Sequence, residues 1–259
     1  MFTERELSAE LSRLRDDLAP GTLVLDCQED FESLDPAVAE ELLLVTDSVD
    51  PLSFPAEWLP PDAPELLVRY AGDELTIGMP GDGGVAWTRQ TDPPCVFVKP
   101  RLAGSPDDFV DFLIAEALAE VSLDEPEQFL GFFGEAYPGF ADATAGMGPA
   151  DTYQLAAALY DAYLGLQTRT IFADWAEDYP GLHAAWADAG ERLEPRIADL
   201  PTEVARGQTS FPAAAELACS AVKHGLELPA PFDALATEAY RDHGPEYAVQ
   251  WARKVVGGE

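Results

Sequence analysis

The spacing of apolar residues changes near residue 104 of this 259-residue chain. Before that point, short runs of β-branched and aromatic residues alternate with helical stretches and with turns rich in glycine and proline. After it, apolar positions recur every three to four residues, a spacing typical of helices. The pattern predicts an α+β fold with a mixed α/β part at 1–104 and an all-helical part at 105–259. We expect the two parts to pack as one compact unit.

The N-terminal part begins with a predicted helix, because Thr3 and Glu6 have the spacing of a capping box and leucines follow at helical intervals. The run TLVLDC at 22–27 predicts a strand. Asp35, followed by proline, predicts the N-terminus of a second helix that runs to about Val45. A short helix is expected at about 64–71.

Three strand-like runs separated by glycine and proline predict a small antiparallel β-meander at about 73–100, with helices flanking it. The runs are ELTIGM, VAWTRQ and PPCVFVK. The sequence PGDGG (80–84) between the first two resembles a phosphate-binding loop. Such a loop opens a helix, whereas VAWTRQ continues a strand, and no Lys-Ser/Thr pair follows. We therefore interpret 80–84 as a hairpin turn.

The C-terminal part consists of predicted helices separated by proline and glycine. They lie at about 107–121, 126–136, 150–178, 180–199, 212–224, 231–242 and 245–256. The helix at 150–178 carries an aromatic stripe, interpreted as core: Tyr153, Tyr160, Tyr163, Phe172 and Trp175. The sequence YPG occurs at 137–139 and again 42 residues later, each time after an apolar helix face. The simplest explanation of this repetition is that two unrelated helices end in the same sequence. The alternative hypothesis is a partner-binding groove between the two helices.

The charge balance points to an unusual environment. The chain has 48 acidic residues and 15 lysines and arginines, a formal net charge of −33. The acids are scattered and aromatic residues are plentiful, which indicates solvated faces of a folded protein and not an acidic disordered tail. Molar salt screens such repulsion, so we expect a cytosolic protein of a salt-accumulating microbe. The rival interpretation, a nucleic-acid mimic, requires a phosphate-like array, and only short acidic pairs are present.

Other features of the composition narrow the functional classes. Binding to nucleic acid or to an anionic membrane is not expected, because it depends on lysine and arginine. The longest apolar runs are too short to span a bilayer, and no signal peptide is recognisable. Cys27, Cys95 and Cys219 are widely spaced, which predicts reduced thiols in the cytoplasm.

Arg89, Lys99 and Arg101 form the most suggestive cluster of candidate site residues. They place three of the scarce basic side chains within thirteen positions, on and after neighbouring predicted strands. The planar guanidinium of arginine can donate two parallel hydrogen bonds to a phosphate or carboxylate, so one hypothesis is that the three residues bind an anionic small ligand. The alternative is that the three cations neutralise acids of the surrounding surface.

Further candidates are weaker. The three histidines are isolated, and although Asp174, Asp178 and His183 lie near one another in sequence, we predict no metal or other cofactor. Glu116 and Glu120 are one helical turn apart, but we place them on a solvated helix face. The sequence contains no activated serine or cysteine motif, and we predict no catalytic residue.

Several stretches together resemble an uncharacterised family of small acidic haloarchaeal proteins. They are GMPGDGGVAWTRQT, PPCVFVKPRL, FLIAEALAE, TYQLAAALYDAYLGLQTR and ELPAPFDALATEAYRDHGPEYAVQWA. The resemblance covers nearly the whole chain and implies a salt-rich habitat, but it implies no catalytic residues.

These observations favour a non-enzymatic cytosolic interaction module or accessory subunit, with an unknown protein partner and an unknown oligomeric state. The alternative is a small-molecule binder or an enzyme that acts on an anionic substrate through Arg89, Lys99 and Arg101.

Overall fold

The computed structural model describes residues 2–79 and 83–258 of the chain. The fold is α+β, with a small mixed sheet near the N-terminus and a helical C-terminal part, as the sequence predicts. The strands are β1 (Phe2–Glu4), β2 (Leu23–Cys27), β3 (Ser48–Val49), β4 (Val85–Thr88), β5 (Thr91–Asp92) and β6 (Cys95–Val98). The helices are α1 (Ala9–Leu18), α2 (Pro36–Ala39), α3 (Glu65–Ala71), α4 (Asp107–Ser122), α5 (Phe129–Phe133), α6 (Tyr137–Ala143), α7 (Pro149–Asp178), α8 (Pro180–Ala205), α9 (Phe211–Ser220) and α10 (Glu238–Val255).

Short 3₁₀ helices connect several of these elements. They lie at Glu40–Leu44, Ala56–Trp58, Pro100–Leu102, Gly134–Ala136, Val222–His224 and Phe232–Ala236. Gly225 adopts the left-handed conformation (φ 66°) that ends the fifth of them, as is common for a glycine at the end of a helix.

The main sheet has the strand order β1-β2-β6-β4. β1 runs antiparallel to β2, β2 runs parallel to β6, and β4 runs antiparallel to β6. All four residues of β6 are buried, as expected for a central strand that is covered on both faces. The prediction of an antiparallel meander is therefore right for β4 and β6 only.

The first run of the predicted meander, ELTIGM, is not a strand. Its backbone oxygens are used elsewhere: Ile77 accepts from the amide of Leu34 and Thr76 accepts from the side chain of Gln90. Pro80, Gly81 and Asp82 of the predicted turn lie outside the described residues. The loop leads into β4 and not into a helix, which agrees with the prediction that it is not a phosphate cradle.

The predicted capping box at Thr3 is wrong, because Thr3 pairs with Asp26 in the sheet. Helix α1 begins later, where the hydroxyl of Ser8 accepts a hydrogen bond from the amide of Leu11. The second predicted helix begins at Pro36 as expected, with Asp35 as its cap. It tightens into a 3₁₀ helix at Glu40–Leu44, so only part of AVAEELLLV is α-helical.

The chain forms two compact units that are discontinuous in sequence. Unit 1 comprises Met1–Ser53, Gly72–Glu127 and Ile171–Trp186. Unit 2 comprises Phe54–Ala71, Gln128–Thr170 and Ala187–Glu259. The predicted division into parts at 1–104 and 105–259 that pack as one compact unit stays a prediction.

Unit 1 contains the sheet. Helix α4 contacts α1 and also β4 and β6. Alternate residues of β2 and β6, which point to one face of the sheet, join a buried cluster with residues from α2 and from the 75–79 segment. The cluster consists of Leu25, Leu34, Ala39, Leu42, Leu75, Ile77, Cys95 and Phe97.

Unit 2 is organised around buried aromatic rings from several helices. They include Tyr70, Phe129, Phe132, Phe133, Tyr137, Phe140, Tyr160 and Tyr240. Neighbouring ring centroids lie close together, for example 4.8 Å between Phe133 and Phe140 and 5.0 Å between Phe132 and Tyr160. These distances are typical of packed aromatic pairs, so the aromatic residues supply the core of this unit.

Candidate functional site

The carboxyl ends of the parallel strands β2 and β6 bring together two of the three predicted cations. Lys99 and Arg101 follow β6, and Asp30 follows β2. Because parallel strands point their carboxyl ends to the same edge, residues after the two strands meet there. The sequence did not indicate this meeting, since it predicted only antiparallel neighbours.

Arg101 is paired with acids of its own chain. Its guanidinium donates to both carboxylate oxygens of Asp30 at 2.8 Å and to Glu32 at 2.7 Å. The hydrogen bond from Arg101 holds the pKa of the Asp30 carboxyl below its usual range, and Asp30 and Glu32 raise the pKa of Arg101. The pairs are partly exposed, so water and salt screen them. Any anion at Arg101 has to compete with two carboxylates.

Lys99 is buried, and its Nζ lies 4.6 Å from the centre of the Phe31 ring. Its backbone amide donates to the carbonyl of Gly84 at 2.8 Å, which fixes the end of β6 against β4. Lys99 also lowers the pKa of the neighbouring Cys27 thiol, but burial outweighs this effect and raises that pKa to about 12. The lysine is thus part of the packed interior of unit 1.

Arg89 lies at the other end of the β4–β6 pair. Thr88 is opposite Cys95, whereas Val85 is opposite Val98, so Arg89 and Lys99 follow opposite ends of the ladder. At about 3.3 Å per residue, the separation along the strands is roughly 15 Å. The structure therefore brings Lys99 and Arg101 to one edge and leaves Arg89 apart.

Arg89 instead binds the segment after α4. Its guanidinium donates to the carbonyl oxygens of Leu123, at 2.6 Å, and of Glu125. The same guanidinium lies over the Trp87 ring, with Cζ 5.4 Å from the ring centre. A guanidinium that is held by two carbonyls and an aromatic face has a clear structural role.

Glu127 completes this attachment. Its carboxylate accepts hydrogen bonds from the Thr88 hydroxyl, the Arg89 amide and the Gln90 side chain, each at 2.7 Å. Burial raises the pKa of the Glu127 carboxyl, and the three hydrogen bonds oppose that shift. The side-chain oxygen Oε1 of Gln90 also accepts from the amide of Leu52, so one buried polar cluster joins three segments of unit 1.

The predicted solvated position of Glu116 is wrong, because this residue is buried. Glu120, one turn further along α4, accepts a hydrogen bond from the Trp87 indole at 2.7 Å. Helix α4 contacts β4, so the face that carries these two glutamates lies against the sheet. The burial of Glu116 was not predicted, because a charged residue in an amphipathic helix is usually placed on the solvated face.

The described residues show no nucleophilic thiolate and no metal-binding group. Burial raises the pKa of all three cysteine thiols, so each is protonated at neutral pH. Within 2–79 and 83–258, no set of three histidine, cysteine or acidic side chains is placed to hold a metal ion. That statement includes Asp174, Asp178 and His183.

The aromatic faces that precede the two YPG sequences are buried. Phe129 and Phe133 belong to the core of unit 2, and Phe172 and Trp175 are buried in unit 1. The aromatic stripe of α7 is likewise mostly core, with Tyr160 fully buried, as predicted. A partner-binding groove between these helices is therefore not supported.

An exposed apolar ridge on unit 1 has no counterpart in the sequence-based predictions. It consists of Leu43, Leu44 and Val45, which are 56%, 84% and 44% exposed. Ala39 and Leu42 are three residues apart and face the core, whereas Leu43 and Leu44 of the 3₁₀ helix face outward. Val45 follows the last residue of this helix and is exposed as well. We call residues 43–45 the 43–45 ridge.

The ridge is anchored on both sides. On one side, Leu42 is completely buried in the cluster beneath the sheet. On the other, the Thr46 hydroxyl and amide both donate to the carbonyl of Leu42, and the Asp47 amide donates to the carbonyl of Asp92. The exposed side chains therefore project from a fixed segment.

A family model matches residues 1–258 and is described as a family of unknown function, DUF7089. The chain belongs to DUF7089. No curated protein matches the chain, and no solved structure matches it. The family assignment agrees with the resemblance to an uncharacterised family and adds no site residues to this DUF7089 member.

No helix among the described residues combines the length and the apolar character that crossing a membrane requires.

Proposed function

We propose that the protein is a non-enzymatic interaction module or accessory subunit that binds a protein partner through the 43–45 ridge. The observation that carries this proposal is the exposure of three consecutive large apolar residues on an anchored segment. Isolated exposed leucines are ordinary, but a contiguous apolar patch is typical of an interaction site.

The energetics favour burial of the ridge in a complex. Burying one leucine or valine side chain contributes about 1.5–3 kcal/mol. A few central apolar side chains of this kind supply most of the binding free energy in many interfaces. The ridge therefore has the properties of an anchor around which a larger contact forms.

The test compares a double variant, Leu43→Ser with Leu44→Ser, with the wild type and with Val68→Ser. Val68 is 51% exposed and lies on α3, outside the ridge, so it controls for loss of any exposed apolar side chain. Each labelled protein is sedimented in buffer and in host extract at molar salt. The wild type and Val68→Ser are expected to sediment faster in extract, and the double variant is not. Equal sedimentation of the wild type in buffer and extract would contradict the proposal.

We also propose that the protein works in the cytoplasm of a salt-accumulating microbe. The net charge of −33 and the free state of all three cysteines support it. Screening of carboxylate repulsion should raise the free energy of unfolding steeply between about 0.1 and 1 M KCl, where the Debye length falls from about 10 to 3 Å. Denaturant titrations at several KCl concentrations measure this, and a flat profile argues against a salt-rich habitat.

The alternative function, an anionic substrate bound through Arg89, Lys99 and Arg101, stays a prediction. Its difficulty is that Arg89 is distant from the other two and Arg101 is engaged by Asp30 and Glu32. Calorimetry with inorganic phosphate checks it: phosphate binding that disappears in Arg101→Gln would revive this alternative.

A further inference from the structure

The shape of the 43–45 ridge restricts what can cover it. Exposure rises from 56% at Leu43 to 84% at Leu44 and falls to 44% at Val45. The ridge is thus convex, with Leu44 at its tip, and it requires a concave surface on the partner. An apolar pocket that encloses Leu44 meets this requirement, because an apolar anchor gains most where it is fully removed from water.

The charge around the ridge restricts the partner further. Glu40 and Glu41 precede the ridge, and Asp47 and Asp50 follow it. No lysine or arginine occurs between Arg15 and Arg69, so the sequence on either side of the ridge supplies acidic side chains and no basic ones. A partner surface beside the ridge is complementary when its rim carries lysine or arginine.

A second copy of the chain fits these restrictions poorly. In a two-fold dimer the same patch faces itself, so a convex ridge would meet a convex ridge and the flanking acids would face their own copies.

We infer that the occupant of the ridge is a different protein, which presents an apolar pocket for Leu44 inside a rim of basic side chains. This inference rests on the proposed docking function and specifies its partner. The pocket supplies affinity, and the basic rim selects the acidic ridge over other exposed apolar residues, such as Val68 on α3.

The test is photo-cross-linking from the tip of the ridge. A photoreactive phenylalanine derivative replaces Leu44 in the full chain, and the same replacement at Val68 is the control. Both proteins are irradiated in host extract at molar salt, and the cross-linked peptides are sequenced. The expected product is a peptide of a different protein, from an apolar pocket that is bordered by lysine or arginine, formed at position 44 and not at position 68.

The charge requirement is tested on the same product. Glu40→Gln, Glu41→Gln and Asp47→Asn are combined with the photoreactive replacement. The cross-link yield is expected to fall several-fold at the lowest salt concentration at which circular dichroism remains native. An unchanged yield, or a cross-linked pocket without basic residues, overturns the inference about the rim.

Two further outcomes separate this inference from the function on which it rests. A cross-link to a second copy of the chain would overturn the inference and leave the docking function intact. No cross-link above the Val68 control would overturn both.

Discussion

Two short apolar stretches, the aliphatic LLLV at 42–45 and the mainly aromatic FLGFF at Phe129–Phe133, differ in their surroundings. In unit 2, Phe129, Leu130, Phe132 and Phe133 are all buried, and α5 contacts α10. In unit 1, only Leu42 of the 42–45 run is buried. The comparison shows that neighbouring elements, and not apolar character alone, decide whether such a stretch stabilises the fold or remains available for a partner.

The same contrast separates two arginines. Arg89 donates to two backbone carbonyls and lies over the Trp87 ring, whereas Arg101 pairs with Asp30 and Glu32 near the surface. We therefore expect substitutions of the enclosed residues to lower the free energy of unfolding, and substitutions of the exposed residues to leave it almost unchanged.

The largest effect is expected from Phe133→Ala in the core of unit 2. Phe133 contacts the rings of Phe132, Tyr137 and Phe140, with centroid distances between 4.8 and 5.9 Å. Removing the ring leaves a cavity, so the free energy of unfolding should fall by about 3–5 kcal/mol. Denaturant titration measures it, with Phe133→Leu as the control that retains most of the volume. A loss below about 1 kcal/mol would contradict the view that the enclosed stretch in unit 2 stabilises the fold.

Arg89→Met should have a smaller but clear effect. It leaves the carbonyls of Leu123 and Glu125 without their charged donor, a loss of about 1.5–3 kcal/mol. Arg89→Lys keeps the charge but not the planar fork, so it should recover only part of this loss. Full recovery with lysine would mean that charge alone, and not the attachment to both carbonyls, matters at this position.

Arg101→Gln should change stability by about 1 kcal/mol or less, because its ion pairs are partly exposed. The change should shrink further at molar salt. A loss as large as that of Arg89→Met would show that the two arginines are equivalent, contrary to the comparison.

The pH dependence of the Arg101 effect has a defined sign. The folded-state pKa of Asp30 is lowered by Arg101, so the pair stabilises the fold above the ordinary aspartate pKa of about 3.9 and loses this contribution as the pH falls through the lowered value. The raised pKa of Glu127 acts in the opposite direction, since stability falls as the pH rises from the ordinary glutamate value to the raised one. In unfolding titrations, the difference in the free energy of unfolding between wild type and Arg101→Gln should therefore shrink as the pH falls below about 3.9.

Leu44→Ser should have the smallest effect on stability, within about 0.5 kcal/mol of wild type. Leu44 is 84% exposed, so the substitution removes little that the fold uses. Thermal and chemical unfolding check this, with Leu42→Ser as the contrast, because Leu42 is buried next to it. Destabilisation by more than about 2 kcal/mol at position 44 would place the ridge in the core and remove the argument for docking.

Local sequence signals predicted much of the fold. The strand β2, the helix start after Asp35 and the long helix α7 were found because spacing and capping residues act within a few positions. The wrong predictions concern which segments, distant in sequence, pair with each other in the sheet. Thr3 pairs with Asp26 across the sheet, and β6 takes β2 as a parallel neighbour, which no local pattern specifies.

The candidate site was less predictable. The sequence singled out Arg89, Lys99 and Arg101 for their rarity, but their separation depends on the register of β4 and β6. The ridge was not predicted because LLLV continues a helical pattern, whereas in the structure the helix ends at Leu44 and three of the four residues are exposed. A run of four apolar residues after acidic ones was the available signal, and it does not distinguish a buried turn from an exposed one.

The central claim, that another protein covers the ridge in the cell, is tested most directly by thiol footprinting at position 44. Leu44→Cys and the control Val68→Cys are labelled with a maleimide in buffer and in host extract at the same molar salt. The native thiols give a low background, because Cys95 and Cys219 are buried and the pKa of Cys27 is raised to about 12. The account predicts that extract slows labelling at position 44 and leaves position 68 unchanged. Equal labelling of position 44 in buffer and extract would contradict it.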